Sequence, residues 1–251
     1  MHGWVSGLAP AGWQAMTPSP GWTVAHQIAH LAWVDQYALL AVRDADSFFP
    51  TLMAGLEKAG GDVTAFVDGG ANDGVTQPRE ALVAGWMTGC EQLAAELEEA
   101  PADAQFPWFG GPELPQTPSM LAAARLMEWW AHGLDVAAGV GATPAATDRL
   151  KHVADVSVDN RAYAFTAHGL AAPVGDVRVE LTGPAGQAWS WGPAEAADRV
   201  TGSALDFGLL MTQRINRADT ALVATGSEAD LWLDVGQAYA GPPGGKRARR
   251  G

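Results

Sequence analysis

The spacing of apolar residues changes near residue 158, and this change most constrains the fold of the chain. In the first part, apolar residues recur at helical intervals, whereas three later segments alternate between apolar and other residues, as strands do. These segments are A-Y-A-F-T-A-H (162–168), D-V-R-V-E-L-T (176–182) and Q-A-W-S-W (187–191). The pattern therefore predicts an α+β protein, with helices first and a small α/β domain after them.

Residues that start or stop helices place the individual elements. Thr23 and Thr117-Pro118 are typical helix starts, and the helix that begins at Thr117-Pro118 is predicted to end near Gly139 or Gly141. A polar loop is predicted through Asn72-Asp73-Gly74 and an irregular link over residues 101–117. Helices are predicted over residues 23–43, 47–60, 76–100, 117–141, 145–156, 204–216 and 227–240, with a further strand over 220–225.

The change of pattern also sets the predicted domains. Residues 1–157 are predicted to form a helical bundle, and residues 158–240 the small α/β domain. The tail G-P-P-G-G-K-R-A-R-R-G (241–251) mixes proline, glycine and exposed cations, so it is predicted to be disordered. We expect this tail to be too short to define a binding site.

Composition excludes several classes of function. The chain has 28 acidic and 15 basic residues in 251, giving a formal charge of −13, so most of its surface would repel a nucleic-acid backbone. It lacks a signal peptide pattern and any run of about 18 apolar residues, so no membrane partner is expected. Its one cysteine, Cys90, is expected to be buried and fits a reducing compartment. These features predict a cytoplasmic monomer or homodimer acting on a small molecule.

Glu128 and His132 carry the first chemical signal. They lie four residues apart on a predicted helix, so both side chains project from one face. A solvated ion pair is the commoner explanation of this spacing, but the surrounding stretch is apolar, and a buried carboxylate needs a partner. A carboxylate and an imidazole suit Zn²⁺ best, and also Fe²⁺ or Ni²⁺. His30, on another predicted helix, is the natural third ligand.

Three further residues are candidates for the same site. Asp135 lies three residues after His132, where it is either a group that orients a ligand imidazole or a surface carboxylate. Trp33 and Trp108 belong to an unusually large set of eleven tryptophans. They are candidates for the walls of a substrate pocket, with core packing as the plainer alternative.

Three segments resemble one known family. They are P-S-P-G-W-T-V-A-H-Q-I-A-H-L-A-W (18–33), A-R-L-M-E-W-W-A-H-G-L-D-V-A (124–137), and R-A-D-T-A-L-V-A-T-G (217–226) with Q-A-Y-A-G-P-P-G (237–244). In this order they resemble an actinobacterial branch of the DinB-like, mycothiol-dependent maleylpyruvate isomerase group. The resemblance implies a DinB-like bundle whose metal ligands correspond to His30, Glu128 and His132, followed by a small α/β domain. It also implies a divalent metal and a mycothiol-like thiol as cosubstrate.

The resemblance adds one candidate and shows several departures. Related enzymes use an arginine of the second domain near the active site, which makes Arg214 a candidate for holding an anionic substrate or the thiol. Relatives usually carry Asp at position 26, whereas this chain has His26, which could act in acid–base catalysis. Leu134 and Ala138 replace polar residues of relatives, which predicts a more apolar pocket. Relatives also have most of a helix before the segment that begins at Trp4, so a start further upstream or a covering partner is expected.

Three functions follow from these observations. The first is a metal-dependent enzyme that uses a low-molecular-weight thiol for transfer to, or isomerisation of, a small organic substrate. The second is an isomerase or cyclase of specialised metabolism in which His26 and Asp135 perform acid–base chemistry with little dependence on metal. The third is a non-catalytic protein that binds an apolar ligand.

Overall fold

A computed structural model gives the structure of the chain and describes residues 1–249. These residues form two compact units, the first spanning Met1–Pro144 and the second beginning at Ala145. The predicted α+β class is confirmed, because a helical first part is followed by a small four-stranded sheet. In the described part of the chain, no helix is both long enough and apolar enough to cross a membrane.

The first unit is a bundle of helices arranged around α3. This helix packs against α5, α6 and α7, and its apolar side chains Ile28, Leu31 and Ala38 are completely buried. The helices of this unit are α1 (His2–Val5), α2 (Pro10–Trp13), α3 (Val24–Arg43), α4 (Ala45–Lys58), α5 (Val63–Val75), α6 (Arg79–Glu99) and α7 (Pro118–Val140). Polar side chains of α3 are buried among the apolar ones, and burial of a polar group requires a partner.

The predicted boundaries of α3 and α7 are confirmed, since local hydrogen bonds fix them. The Thr117 hydroxyl accepts a hydrogen bond from the Met120 N–H at 3.3 Å, and Pro118 occupies the first turn of α7. The helix ends at Gly141, whose φ of 71° is left-handed and favours glycine. Thr23 precedes α3 and forms a capping box with the residue three positions on.

The loop predicted through Asn72-Asp73-Gly74 is wrong, because this stretch belongs to α5. Asp62 begins that helix by accepting hydrogen bonds from two backbone N–H groups. Gly70 and Gly74 face α3 one turn apart, and a Cβ on Gly74 would lie 2.6 Å from the Ala29 Cβ. These glycines lower the helix propensity of α5 but allow it to pack closely on α3. The tertiary contact therefore overrides the loop signal of the local sequence.

We expect Gly74→Ala to destabilise the protein by about 1–3 kcal/mol, because the new methyl group overlaps Ala29 and must push α5 away from α3. The matched control is Gly69→Ala in the same helix, where nothing lies within 4 Å of an added Cβ. That change should be neutral or stabilising by up to about 1 kcal/mol. Urea unfolding of both variants measures the difference, and equal midpoints would contradict the proposed overlap.

The second unit contains four strands and the remaining helices. The sheet has the order β2-β1-β3-β4, with β1 parallel to β3 and the two outer pairs antiparallel. Val177, Val179 and Leu181 alternate along β1 and are buried, as the sequence pattern predicts. The elements are α8 (Leu150–Asp159), α9 (Arg161–Ala167), β1 (Val177–Thr182), β2 (Ala188–Trp191), β3 (Asp198–Ser203), α10 (Ala204–Met211), β4 (Val223–Thr225) and α11 (Ser227–Val235).

Several predictions for the second unit are wrong. Segment 162–168 lies largely in α9 rather than in a strand. The buried residues of α9, which are Arg161, Ala164 and Phe165, follow the helical spacing of three and four. Strand β3 was not predicted. Helix α10 ends earlier than predicted, because Gln213 adopts a φ of 61° and the chain leaves the helix there. The predicted domain boundary between residues 157 and 158 falls inside α8.

The tail is more ordered than its composition indicates. Residues 241–249 form neither helix nor strand, but several of them make specific hydrogen bonds within the second unit. Residues 250 and 251, the end of the predicted disordered segment, lie outside the described residues.

Candidate metal centre

Helices α3 and α7 bring the three predicted ligands together. One potential ligand atom from each of His30, Glu128 and His132 lies within 4.8 Å of the other two. The Glu128 Oε2 atom is 3.4 Å from His30 Nε2 and 3.9 Å from His132 Nε2. Two ligand atoms bound at 2.1 Å in tetrahedral geometry stand about 3.4 Å apart. The donor atoms are therefore close to the spacing that a small divalent ion requires.

A chain of hydrogen bonds sets the tautomer of His132. The Thr17 hydroxyl lies 2.8 Å from the Trp22 carbonyl oxygen and must donate, because a carbonyl only accepts. The Thr17 oxygen therefore accepts from Gln27 Nε2 at 2.9 Å, which directs Gln27 Oε1 toward His132. His132 Nδ1 lies 2.6 Å from that oxygen and must donate to it. Nδ1 therefore carries a proton, and in the neutral imidazole the lone pair is on Nε2, the nitrogen nearer Glu128.

Gln27 was not identified from the sequence, although its side chain is fully buried. A glutamine among the apolar residues of V-A-H-Q-I-A-H-L is a weak signal that a buried polar partner exists. The partner is 105 residues away, so local spacing could not reveal it. Histidines that bind metal usually donate their second N–H to such an acceptor, which makes Gln27 the kind of group that accompanies a ligand.

A buried ion pair supports Glu128 from the other side. Arg125 and Asp35 are both almost fully buried, and Arg125 Nε donates to Asp35 Oδ1 at 2.9 Å. The Arg125 Nη1 atom lies 3.4 Å from Glu128 Oε2. Burial opposes ionisation of Glu128, but the contact with the His30 imidazole and the charge of Arg125 outweigh it and hold the pKa of this carboxyl below its usual range. Glu128 is therefore a carboxylate at neutral pH, as a metal ligand must be.

Cys90 lies behind this ion pair and is not part of the ligand set. Its thiol is buried and donates a hydrogen bond to Asp35 Oδ2 at 3.5 Å. Burial and the negative charge of Asp35 raise the pKa of Cys90 far above its ordinary value. The thiol therefore stays protonated, as expected for a structural cysteine.

The residues present fit a divalent metal ion. Glu128 Oε2 is buried, and its contacts with His30 Nε2 and Arg125 Nη1, both at 3.4 Å, are longer than good hydrogen bonds. A cation bound among the two imidazoles and the carboxylate would give Glu128 Oε2 a closer partner than either of these groups. One carboxylate and two imidazoles also form a donor set typical of Zn²⁺, Fe²⁺ or Ni²⁺.

Comparison with known proteins decides the family. The family model described as "Mycothiol maleylpyruvate isomerase N-terminal domain" matches residues 1–137, more than half of the chain. The chain belongs to this family. A second model, described as "Wyosine base formation", matches residues 173–225 of the second unit.

Relatives of this mycothiol maleylpyruvate isomerase family member include uncharacterized proteins of Mycobacterium tuberculosis. The proteins from strains CDC 1551 / Oshkosh and ATCC 25618 / H37Rv are each 44% identical over 232 residues, covering 92% of this chain and 88% of theirs. The crystal structure of the mycothiol-dependent maleylpyruvate isomerase matches with a TM-score of 0.56 and 17% identity, over 89% of this chain and 86% of that one. A histidine-to-alanine mutant of that enzyme gives a TM-score of 0.54. At this identity the structures show a shared fold.

His26, a predicted catalytic residue, is engaged at the start of α3. Its Nδ1 accepts from the Thr23 backbone N–H at 3.3 Å and lies 2.8 Å from the Thr23 hydroxyl. Its Nε2 lies 3.2 Å from Asn72 Oδ1, to which it donates when Nδ1 is the acceptor. In this family member, His26 thus completes the capping box with Thr23.

Asp135, the other predicted catalytic residue, is buried on α7. Its Oδ2 accepts a hydrogen bond from the Ser19 hydroxyl at 3.0 Å. This contact ties α7 to the segment that precedes α3. The structure thus gives Asp135 a partner that the sequence did not indicate, and its role in catalysis stays a prediction.

The predicted aromatic residues occupy different places. The Trp33 ring is 6.1 Å from the His30 ring, whereas Trp108 packs against Phe48 and Phe109 in an apolar cluster. Trp22, which was not predicted, lies closer to the ligands, with ring centroids 5.1 Å from His30 and 6.1 Å from His132. Its Nε1 donates to Asp68 Oδ1 at 2.8 Å, which fixes the ring beside the ligand imidazoles.

Arg214, the last predicted site residue, belongs to the second unit. It follows Gln213, and its Nη1 donates to the Thr212 carbonyl oxygen at 2.5 Å. Its proposed contact with a substrate or thiol stays a prediction.

The buried ion pair gives a stability prediction. Arg125→Ala leaves Asp35 buried without its cation, so we expect a loss of about 3–5 kcal/mol in the free energy of unfolding. Arg43→Ala is the matched control, because Arg43 pairs with Glu96 at an exposed position on the same bundle. That change should cost less than about 1 kcal/mol. Urea unfolding measures both values, and similar losses would show that the buried pair has no special role.

Proposed function

We propose that the protein is a metal-dependent enzyme that uses a low-molecular-weight thiol of the mycothiol type. The enzyme either transfers this thiol to a small organic substrate or uses it to isomerise that substrate. The convergence of His30, Glu128 and His132 carries this proposal. Zn²⁺ is the metal we favour, and Fe²⁺ or Ni²⁺ would suit the same donors. The choice of a mycothiol-like thiol rests on the family, because the matching crystal structure is that of a mycothiol-dependent enzyme.

Three protein ligands are the number typical of catalytic zinc sites, which keep a further coordination position for water or substrate. His30, Glu128 and His132 would supply them. A bound divalent metal lowers the pKa of a coordinated thiol or water and so provides a nucleophile near neutral pH.

The surrounding residues orient the three candidate ligands and favour the protonation states that metal binding requires. Gln27 holds the His132 proton on Nδ1, so the lone pair of Nε2 faces the other ligands. Arg125 keeps Glu128 ionised and in place. Trp22 and Trp33 lie beside the ligand imidazoles and cover part of them with apolar surface, which suits an apolar substrate group and limits access of water.

The acid–base alternative receives no support from the geometry. The ring nitrogens of His26 are occupied by Thr23 and Asn72, and Asp135 accepts from Ser19. Neither residue is presented as an unengaged acid or base. The alternative of a non-catalytic binding protein is separated from the main proposal by the thiol experiment below.

We expect the purified protein to bind about one Zn²⁺ per chain, measured by ICP-MS and by isothermal titration after removal of metal. His132→Ala should abolish this binding, whereas His152→Ala, which changes an exposed histidine of α8, should leave it unchanged. Gln27→Leu should weaken the affinity about 10–100-fold, because the orientation of His132 is lost. Less than about 0.1 metal per chain in the wild type, with no effect of His132→Ala, would overturn the metal centre.

The thiol gives a separate prediction. In protein loaded with Co²⁺ in place of Zn²⁺, addition of mycothiol should produce a thiolate-to-cobalt charge-transfer band, because an open coordination position admits the sulfur. His132→Ala should give no band. Metal binding without the band would disprove the role of the thiol while leaving the metal centre intact. A band without turnover of any candidate substrate would favour the non-catalytic alternative.

A further inference from the structure

The C-terminal segment Gln237–Arg247 is held to the second unit by several hydrogen bonds. Gln237 Nε2 donates to the carbonyl oxygens of Tyr239 and Gly241, each at 2.9 Å. The Tyr163 hydroxyl binds both the N–H and the carbonyl of Gly241, at 2.8 and 3.1 Å. Two further backbone carbonyls of the segment, those of Ala238 and Arg247, accept from the side chains of Asn160 and Asn216. These hydrogen bonds offset part of the conformational entropy that ordering a proline- and glycine-rich stretch costs.

Gln213 forms hydrogen bonds with two residues of this segment. Its φ of 61° is the one left-handed backbone among non-glycine residues 1–249, and such outliers often accompany binding sites. The Gln213 side chain accepts from the Tyr239 hydroxyl at 2.8 Å, and its carbonyl accepts from Arg247 Nε at 3.2 Å. Gly244 passes so close that an added Cβ would lie 2.2 Å from Gln213 Oε1.

The segment forms one wall of a cavity of about 370 Å³ that lies within the second unit. Gln213 and residues 215–218 contribute further lining, together with the end of α11. A volume of this size is in the range of sites for small ligands. The cavity does not include any residue of the candidate metal centre.

The lining of this cavity is cationic, although the chain as a whole has a charge of −13. Arg217, Lys246 and Arg247 line it, and Asp234 is the one carboxylate among its described lining residues. Arg217 is held by ion pairs with Asp230 and Asp234, which fix its guanidinium in place. Lys246 and Arg247 are supplied by the C-terminal segment, so the positive charge depends on how that segment is folded.

We propose that this cavity binds a small organic anion bearing a phosphate or carboxylate group, with Lys246 and Arg247 as its main cationic contacts. Guanidinium and ammonium groups give charge-assisted hydrogen bonds to both kinds of anion. Arg217 also lines the cavity, but its ion pairs with Asp230 and Asp234 offset its charge, so Lys246 and Arg247 supply the net positive charge. The G-P-P-G-G-K-R segment is thus an element that completes a binding site, and this site does not depend on the proposed metal centre.

Isothermal titration of the full chain at physiological salt tests the proposal, with pyrophosphate and citrate as separate probes and sodium chloride of equal ionic strength as the blank. We expect at least one probe to bind, and Lys246→Gln combined with Arg247→Gln to weaken it about tenfold or more. Lys58→Gln, which removes an exposed lysine of the first unit, should have no effect. The probe that binds identifies the phosphate or the carboxylate class.

A second pair of variants tests the role of the segment without changing charge. Gly244→Ala should push apart Gln213 Oε1 and the Tyr239 hydroxyl, break the hydrogen bond between them and weaken binding of the same probe. Gly245→Ala, where nothing lies within 4 Å of an added Cβ, should bind normally. The proposal is overturned if neither probe binds the wild type at millimolar concentration, or if the lysine and arginine substitutions leave the affinity unchanged. Equal affinities of the two glycine variants would refute the wall formed by the segment.

Discussion

The buried contact between Arg125 and Asp35 fixes how α3 and α7 meet, and the candidate metal centre depends on it. Asp35 lies on the same helix as His30, and Arg125 is one turn from Glu128, so one ion pair joins the two helices that carry all three ligands. A charged pair in an apolar interior tolerates little sliding, because each group would lose its partner. It therefore holds the helices in the alignment that the ligands need.

A second constraint begins at a backbone carbonyl. The Trp22 carbonyl can only accept, and this fixes in turn the direction of the Thr17, Gln27 and His132 hydrogen bonds. The segment before α3 therefore determines which nitrogen of a histidine on α7 carries a proton. Together with the ion pair, this series of hydrogen bonds would set the position and protonation of the candidate ligands before a metal bound, which would reduce the ordering that binding requires.

The sequence predicted features whose cause is local. The ends of α3 and α7 follow from Thr23, Thr117-Pro118 and Gly141, and the four-residue spacing of Glu128 and His132 places both on one face. Features set by distant contacts were missed. The glycines of α5 indicate a loop unless α3 is known to pack against them. The alternation of apolar residues in 162–168 indicates a strand, whereas most of this segment is helical. Gln27 meets its partner 105 residues away, which no spacing rule anticipates.

Cys90 has a further meaning in a protein proposed to work with a diffusible thiol. Such a thiol, once oxidised, forms mixed disulfides with accessible protein thiolates. The sulfur of Cys90 is covered, protonated and hydrogen-bonded to Asp35, and the chain contains no second cysteine. While folded, the protein would therefore resist forming a mixed disulfide with the oxidised form of the thiol proposed as its cosubstrate.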